Sequence, residues 1–242
     1  MRIVVLDTLD QFNKTVALML AAQLNAKPDS VLGMATGTTT KEVHEELNAL
    51  VRQGVCSLKE AYTFNVDIRW RLPLDHPTSG WSFMKRQLWD GTDILPDHCC
   101  FPDSNAEDPQ KAMDDFVAKI ASVGGLDLQV LPLGENGHVG FCQPGTLFGS
   151  TSLVTQMVEE YRTPQLAEIF GGMDKVPMTG LTLGLKDIMQ ARQLLFIAKT
   201  TRKADIIPRA LYGPVTEDCP ASMVQLHPNV TVVLDKDAAS KL

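Results

Sequence analysis

Leu126-Asp127-Leu128-Gln129-Val130-Leu131, followed by Leu133-Gly134-Glu135-Asn136-Gly137-His138-Val139-Gly140-Phe141-Cys142-Gln143-Pro144-Gly145, is the stretch on which the fold turns. The apolar run predicts a buried strand. It gives way to a glycine-rich loop that carries a lone histidine. In an open parallel sheet, ligands bind beyond the carboxyl ends of the strands. Glycine there lets the backbone approach a ligand closely. His138, just past the strand, is therefore a candidate catalytic residue.

Further strands are predicted on both sides of this one, at Ile3–Leu6, Val31–Ala35, Tyr62–Val66, Thr179–Leu183, Leu194–Lys199 and Thr231–Leu234. Helical spacing of apolar residues covers Leu9 to Leu24, Thr39 to Val51 and Asp108 to Ile120. Strands separated by helix-length segments predict an α/β fold. The expected form is a doubly wound, Rossmann-like, mostly parallel sheet with helices on both faces. No repeat or Pro/Gly/Ser-rich linker divides the chain, so a single domain over residues 1–242 is expected. Thr146 to Asp174 is the least periodic part, either a lid over the site or an irregular connection.

The 242 residues are enough for one large core. No 18-residue apolar run predicts a membrane span, and the N-terminus lacks a signal peptide's apolar region. The cysteines Cys56, Cys99, Cys100, Cys142 and Cys219 form no CxxC pair. Reduced thiols in a cytoplasmic protein are expected. His98-Cys99-Cys100 reads as an irregular connection, because tight spacing without distant partners does not build a zinc site. The net charge is −7 with no basic run, which speaks against a nucleic-acid groove. A small anionic ligand remains compatible, since a few local donors suffice for a phosphate.

Two other strand ends carry candidate chemistry. Ala35-Thr36-Gly37-Thr38-Thr39-Thr40-Lys41 offers backbone amides, hydroxyls and a helix start, the parts of an anion site. The bland alternative is a threonine-rich helix cap. It is not a P-loop, whose spacing is absent. Asp67, at the end of a predicted strand, lies at the same sheet edge and could act as a general base. In an arbitrary chain it would more often cap the next turn.

Together these segments resemble the glucosamine-6-phosphate deaminase and galactosamine-6-phosphate isomerase family, which shares its fold with 6-phosphogluconolactonase. Thr36, Gly37, Thr38 and Thr39 match the family's phosphate-holding turn. Asn65 and Asp67 match its Asn-Met-Asp-Glu segment, and Leu72-Pro73-Leu74-Asp75-His76-Pro77-Thr78-Ser79 matches the continuation. Val176–Gly184 and Pro220–Pro228 resemble its later motifs, within which His227 reads as structural. The likeness runs from Val31 to Leu234.

The resemblance implies roles for particular residues. Asp67 moves a proton between C2 and C1, and His138 opens the pyranose ring. Thr36 to Thr39 and Lys203 hold the phosphate, with Arg202 as Lys203's neighbouring alternative. It implies a small sugar phosphate as partner, no cofactor and no metal, and a homo-oligomer as the assembly to test for. The chain departs from the pattern at several places. Ile68 replaces a glutamate, and Arg69 an aromatic unless Trp70 fills that role. Asn136 and Gln143 stand where the usual deaminase has acids, with Glu135 as a neighbouring carboxylate. Neutral amides orient an imidazole without raising its pKa, so a lower His138 pKa than in the usual deaminase is expected. A phosphate-binding arginine is missing near Glu168-Ile169-Phe170, and Arg162 does not align with it. No Lys or Arg lies between Thr146 and Thr155, so the family's basic allosteric cluster is not expected.

The implied reaction converts a glucosamine or galactosamine 6-phosphate into a ketose 6-phosphate and ammonia. The alternatives are a 6-phosphogluconolactonase-like hydrolase, whose usual loop Val139-Gly140-Phe141 does not fit, and a sugar-phosphate sensor without turnover.

Overall fold

The computed structural model describes residues 1–242, apart from the side chain of Glu160. Its centre is a seven-stranded sheet built from β1 (Arg2–Leu6), β2 (Val31–Met34), β3 (Tyr62–Asn65), β5 (Cys99–Cys100), β6 (Leu128–Pro132), β9 (Leu194–Ala198) and β10 (Val230–Asp235). The strand order is β1-β10-β9-β6-β2-β3-β5, and the neighbours run parallel. The expected doubly wound architecture is what forms.

Alternation along the strands produces the two faces. Leu32, Met34, Leu128, Val130, Leu195 and Ile197 pack under α1 (Leu9–Ala26), α2 (Lys41–Arg52) and α3 (Gly80–Gln87). Val31, Phe64, Leu131, Leu194, Phe196 and Val232 pack under α4 (Pro109–Ser122), α6 (Leu185–Met189) and α7 (Ile206–Tyr212). With both faces covered, the strands read as nearly unbroken apolar runs. Asp127 pins the amino-terminal ends of β2 and β6. Its carboxylate accepts from the Val31 amide at 2.8 Å and pairs with Lys27 at 2.6 Å and Arg192 at 3.0 Å.

The chain leaves β2 toward β3 and leaves β6 toward β9, in opposite directions across the sheet. The switch point lies between β2 and β6, and such a point opens a crevice at the carboxyl ends of the strands.

A second, antiparallel sheet runs β4 (Asp67–Arg69), β8 (Thr179–Thr182) and β7 (Leu153–Gln156). It corrects three expectations. The strand expected over Thr179–Leu183 forms, but in this small sheet. Asp67 does not end a strand; it opens β4, one residue beyond the end of β3. The aperiodic stretch from Thr146 to Asp174 is not merely an irregular connection, because it supplies β7, α5 (Pro164–Phe170) and short 3-10 turns, and part of it lines that crevice. His98-Cys99-Cys100 is likewise no irregular connection. Cys99 and Cys100 form the edge strand β5 opposite Thr63 and Phe64, and His98 bonds the Ala61 carbonyl at 2.9 Å. Among the described residues no helix is long and apolar enough to cross a membrane.

Candidate active site

The turn after β2, the turn after β3, the loop after β6 and the turn after β9 meet around one crevice of about 670 Å³. Thr36, Gly37, Thr38 and Thr39 line it, as do Asp67, His138 and Lys203. Gln143 and Asn136 stand behind His138 rather than on the wall.

The threonine turn does not act as a helix cap. The N-cap Thr40 makes no side-chain capping bond to α2; its hydroxyl lies 3.4 Å from the Gly37 carbonyl. Gly37 takes φ 148°, a backbone that residues with a Cβ rarely adopt. The crevice is lined by the turn that leads into α2, Thr36 to Thr39, at the end of the helix where the dipole favours an anion.

Lys203 reaches the same crevice from a 3-10 turn, Thr201–Lys203, that follows β9. The turn is set by Thr200, a non-glycine at φ 74° whose amide donates to Asp235 at 2.9 Å. The Lys203 side chain is 16% exposed, and burial lowers its pKa. Arg202, at 75% exposure, also borders the crevice and pairs there with Glu135. Glu135 also lies 4.0 Å from the Lys203 ammonium. Its carboxylate therefore faces these cations rather than standing in for the missing acids beside His138.

Asp67 is partly buried, and burial pushes its carboxyl up to about 7. The loop after β6 closes onto it through Gly140, at φ 54°. A Cβ at that position would meet the Thr182 hydroxyl at 2.9 Å and the Asp67 carboxylate at 3.5 Å. Close approach, not flexibility alone, accounts for this glycine.

The tautomer of His138 can be read from its neighbours. Its backbone N–H donates to Asn136 Oδ1 at 3.1 Å, which identifies that atom as the oxygen. The same oxygen lies 2.7 Å from the ring's Nδ1. In the neutral ring Nδ1 therefore carries the proton and Nε2 presents its lone pair. Asn136 Nδ2 donates onward to Gln143 Oε1 at 3.0 Å, which leaves the Gln143 amide nitrogen buried without a hydrogen-bond partner. A carboxylate at position 143 would leave no such donor. Gly134 has no Cβ because the imidazole ring occupies that space.

Replacing Asn136 with Asp places a negative charge where the 2.7 Å contact now is. It will raise the imidazole pKa, because opposite charge favours the cation. Gln143 can then turn its amide nitrogen toward the new acceptor. Nitrogen NMR titration of His138 in both proteins measures the shift, and equal values would remove the argument.

Several lining residues carried no sequence signal. Tyr161 brings its hydroxyl to 3.4 Å from His138 Nε2, and its ring packs edge-on against Phe141 with centroids 5.4 Å apart. Phe83, Met157, Thr163 and Leu166 also reach the wall, as does Arg69, which the sequence marked only as a departure from the family pattern. Only the tertiary fold brings them there, since the segments that hold them show no periodicity. Arg162 pairs with Glu159 and the Met173 carbonyl, and Glu168 and Ile169 are exposed at the end of α5. His227 lies elsewhere, with Nε2 2.8 Å from the Ala191 carbonyl and Nδ1 engaged by Asn229.

Comparison with known proteins gives a consistent picture. The family model described as glucosamine-6-phosphate isomerases/6-phosphogluconolactonase matches residues 7–233. A glucosamine-6-phosphate deaminase of Halothermothrix orenii is 35% identical over 242 residues, all of both chains. One of Rhodopirellula baltica is 40% identical over 227 residues, 94% of this chain and 90% of its own. The solved structure of a monomeric glucosamine-6-phosphate deaminase superposes with a TM-score of 0.93 at 32% identity, both chains covered in full. A 6-phosphogluconolactonase from Trypanosoma brucei shares the fold, with a TM-score of 0.79 at 20% identity over all of this chain and 98% of its own.

Proposed function

The chain belongs to the family of glucosamine-6-phosphate isomerases and 6-phosphogluconolactonases, and on that premise we propose that it converts glucosamine 6-phosphate and water into fructose 6-phosphate and ammonia. It is an enzyme of amino-sugar metabolism. The reading rests on one observation above all. A carboxyl held near neutrality, an imidazole with Nε2 as its acceptor and an amide-and-lysine cradle line one crevice.

The chemistry follows from those groups. The phosphate sits on the turn Thr36 to Thr39 before α2, with its threonine hydroxyls, and on the Lys203 ammonium. Binding this remote group positions the reacting end of the sugar. His138 Nε2 takes the proton of the anomeric hydroxyl and returns it to the ring oxygen, which opens the pyranose to the aldehyde. Asp67, ionised, then removes the proton from C2. The electron pair forms the C1–C2 double bond of an enolamine as the former carbonyl oxygen takes a proton from the substrate's 2-ammonium group. Asp67 returns its proton to C1, leaving an iminium at C2. Water adds to that carbon and the nitrogen departs with the remaining proton as ammonium, giving the ketose. A carboxyl with a pKa near 7 suits both directions of the transfer, since it gives and accepts a proton with little driving force either way.

Ile68 and Gln143 alter the surroundings of these groups and remove neither Asp67 nor the tautomer of His138. Turnover is therefore expected rather than binding alone. The phosphorylated substrate and the free thiols fit a cytoplasmic location.

The direct test is incubation of the protein with glucosamine 6-phosphate, galactosamine 6-phosphate and 6-phosphogluconolactone. Ammonia, ketose and acid are followed together. Equal amounts of ammonia and ketose from the glucosamine ester are expected. Acid from the lactone with no ammonia from either amino sugar would replace this reading with hydrolysis.

A further inference from the structure

Arg69 is a buried cation that the proposed reaction does not use. It is 8% exposed, and among the described residues no carboxylate pairs with it. Burying a guanidinium with only neutral partners is unfavourable unless its hydrogen bonds are well made. Here they are made to two backbone carbonyls. Nη2 donates to the Tyr161 carbonyl at 2.7 Å, and Nη1 donates to the Pro177 carbonyl, with Met178 Sδ 3.6 Å away.

Those two carbonyls belong to the two ends of one segment. Tyr161 ends the 3-10 turn Glu159–Tyr161, and Pro177 lies two residues before β8. Between them the chain makes α5, whose Leu166 packs with Leu72 and Val176 in a small cluster of its own. The guanidinium is planar, and the angle between its donors is fixed. It therefore sets the spacing of the two ends and ties both to β4. Along that strand Asp67 and Arg69 are two residues apart and share a face.

What the segment delivers to the site is Tyr161. Its hydroxyl lies 3.4 Å from His138 Nε2, and its ring packs on Phe141 from the same loop. Asn136 holds the imidazole at Nδ1; Tyr161 faces the opposite nitrogen, where the sugar must arrive.

We propose that Arg69 is a positioning residue for the imidazole: by clamping the two ends of the segment 161–177 to β4, it places the Tyr161 hydroxyl against His138 Nε2. Tyr161 then holds the ring orientation until a sugar hydroxyl takes its place. The inference rests on the proposed function only for its kinetic readout. The ligand-free protein tests it separately.

The variants are Tyr161→Phe, Arg69→Lys and the double variant. Lysine keeps the charge but cannot span both carbonyls. Each single variant is expected to lower kcat about tenfold, the worth of one hydrogen bond, with KM changed less than about twofold. The double variant should also fall about tenfold rather than about a hundredfold, because Arg69 acts through Tyr161. In ligand-free protein the His138 Nε2 nitrogen resonance should move the same way in both single variants. Multiplicative losses in the double variant, or a Tyr161→Phe variant with unchanged kcat and an unmoved Nε2 resonance, would overturn the proposal. Should Arg69→Lys fail to fold, Arg69→Gln, which can reach only one of the two carbonyls, takes its place with the same expected outcomes. Should the wild type release no ammonia, the proposed function fails while the resonance still tests the clamp.

Discussion

Asp67→Asn will lower kcat about 10³-fold, as expected for removing a group that carries the proton in the rate-determining transfer. The same change will stabilise the protein at alkaline pH. Burial raises the Asp67 carboxyl from 3.8 to about 7 in the folded chain. Between those values the folded state holds more protons than the unfolded state, so stability falls as pH rises through that window. Above about pH 7 the ionised carboxylate destabilises the fold by about 2–4 kcal/mol, a cost an asparagine does not carry. Melting curves of the two proteins should converge toward pH 4 and separate toward pH 8, with the variant higher. The wild-type kcat/KM should rise through pH 7 as the carboxylate forms. A variant that keeps its activity within tenfold, or a stability gap that does not change with pH, would remove Asp67 from the role of base. The combination matters because the two effects have opposite signs. A residue kept for stability would not raise the melting temperature when neutralised.

Lys203→Met will lower kcat/KM about 10²-fold, the loss of a charge-assisted bond to an anion in a partly dry crevice. Part of the loss should fall on kcat, because phosphate binding is used to position the far end of the sugar. Inhibition by inorganic phosphate should weaken in parallel. The neighbouring Arg202 provides the contrast. Its guanidinium is largely solvated and paired with Glu135, so Arg202→Met should change kcat/KM by less than about threefold. If Arg202→Met were the damaging change and Lys203→Met the mild one, Arg202 rather than Lys203 would be the cation that holds the phosphate. Neither substitution should greatly disturb folding. Burial already disfavours the Lys203 charge, and Glu135 keeps Arg202 when Lys203 is neutralised.

The parts of this molecule readable from one sequence are those encoded locally. Strands β2, β6, β9 and β10 announced themselves because both faces are covered, which demands continuous apolar runs such as Leu194–Ala198. The helices over α1, α2 and α4 announced themselves by the spacing of their buried residues. The hydroxyl-rich turn after β2 and the glycine-rich loop after β6 were visible for a related reason. A backbone that must approach a ligand restricts residue type at adjacent positions. Strands β4, β5 and β7 were not visible. β4 and β5 are three and two residues long, too short for any period to show, and β7, though as long as β2, is only half-buried and so carries no continuous apolar run. Tyr161 carried no signal either, and Arg69 showed only as a departure from the family pattern, because nothing in their neighbours' identities says which loop they will meet.

Sequence alone thus determined the layered architecture, the end of the sheet where the crevice opens, and the set of hydroxyl, carboxyl, imidazole and ammonium groups that line it. The tertiary structure decided what those groups are in place: a carboxyl moved toward neutrality, an imidazole fixed in one tautomer, a glutamate turned to two cations, and an arginine clamping a distant segment. The division is physical. Period and residue type reflect burial along the chain, whereas protonation and orientation depend on contacts between loops far apart in sequence, such as Gly140 on Asp67 and Tyr161 on His138.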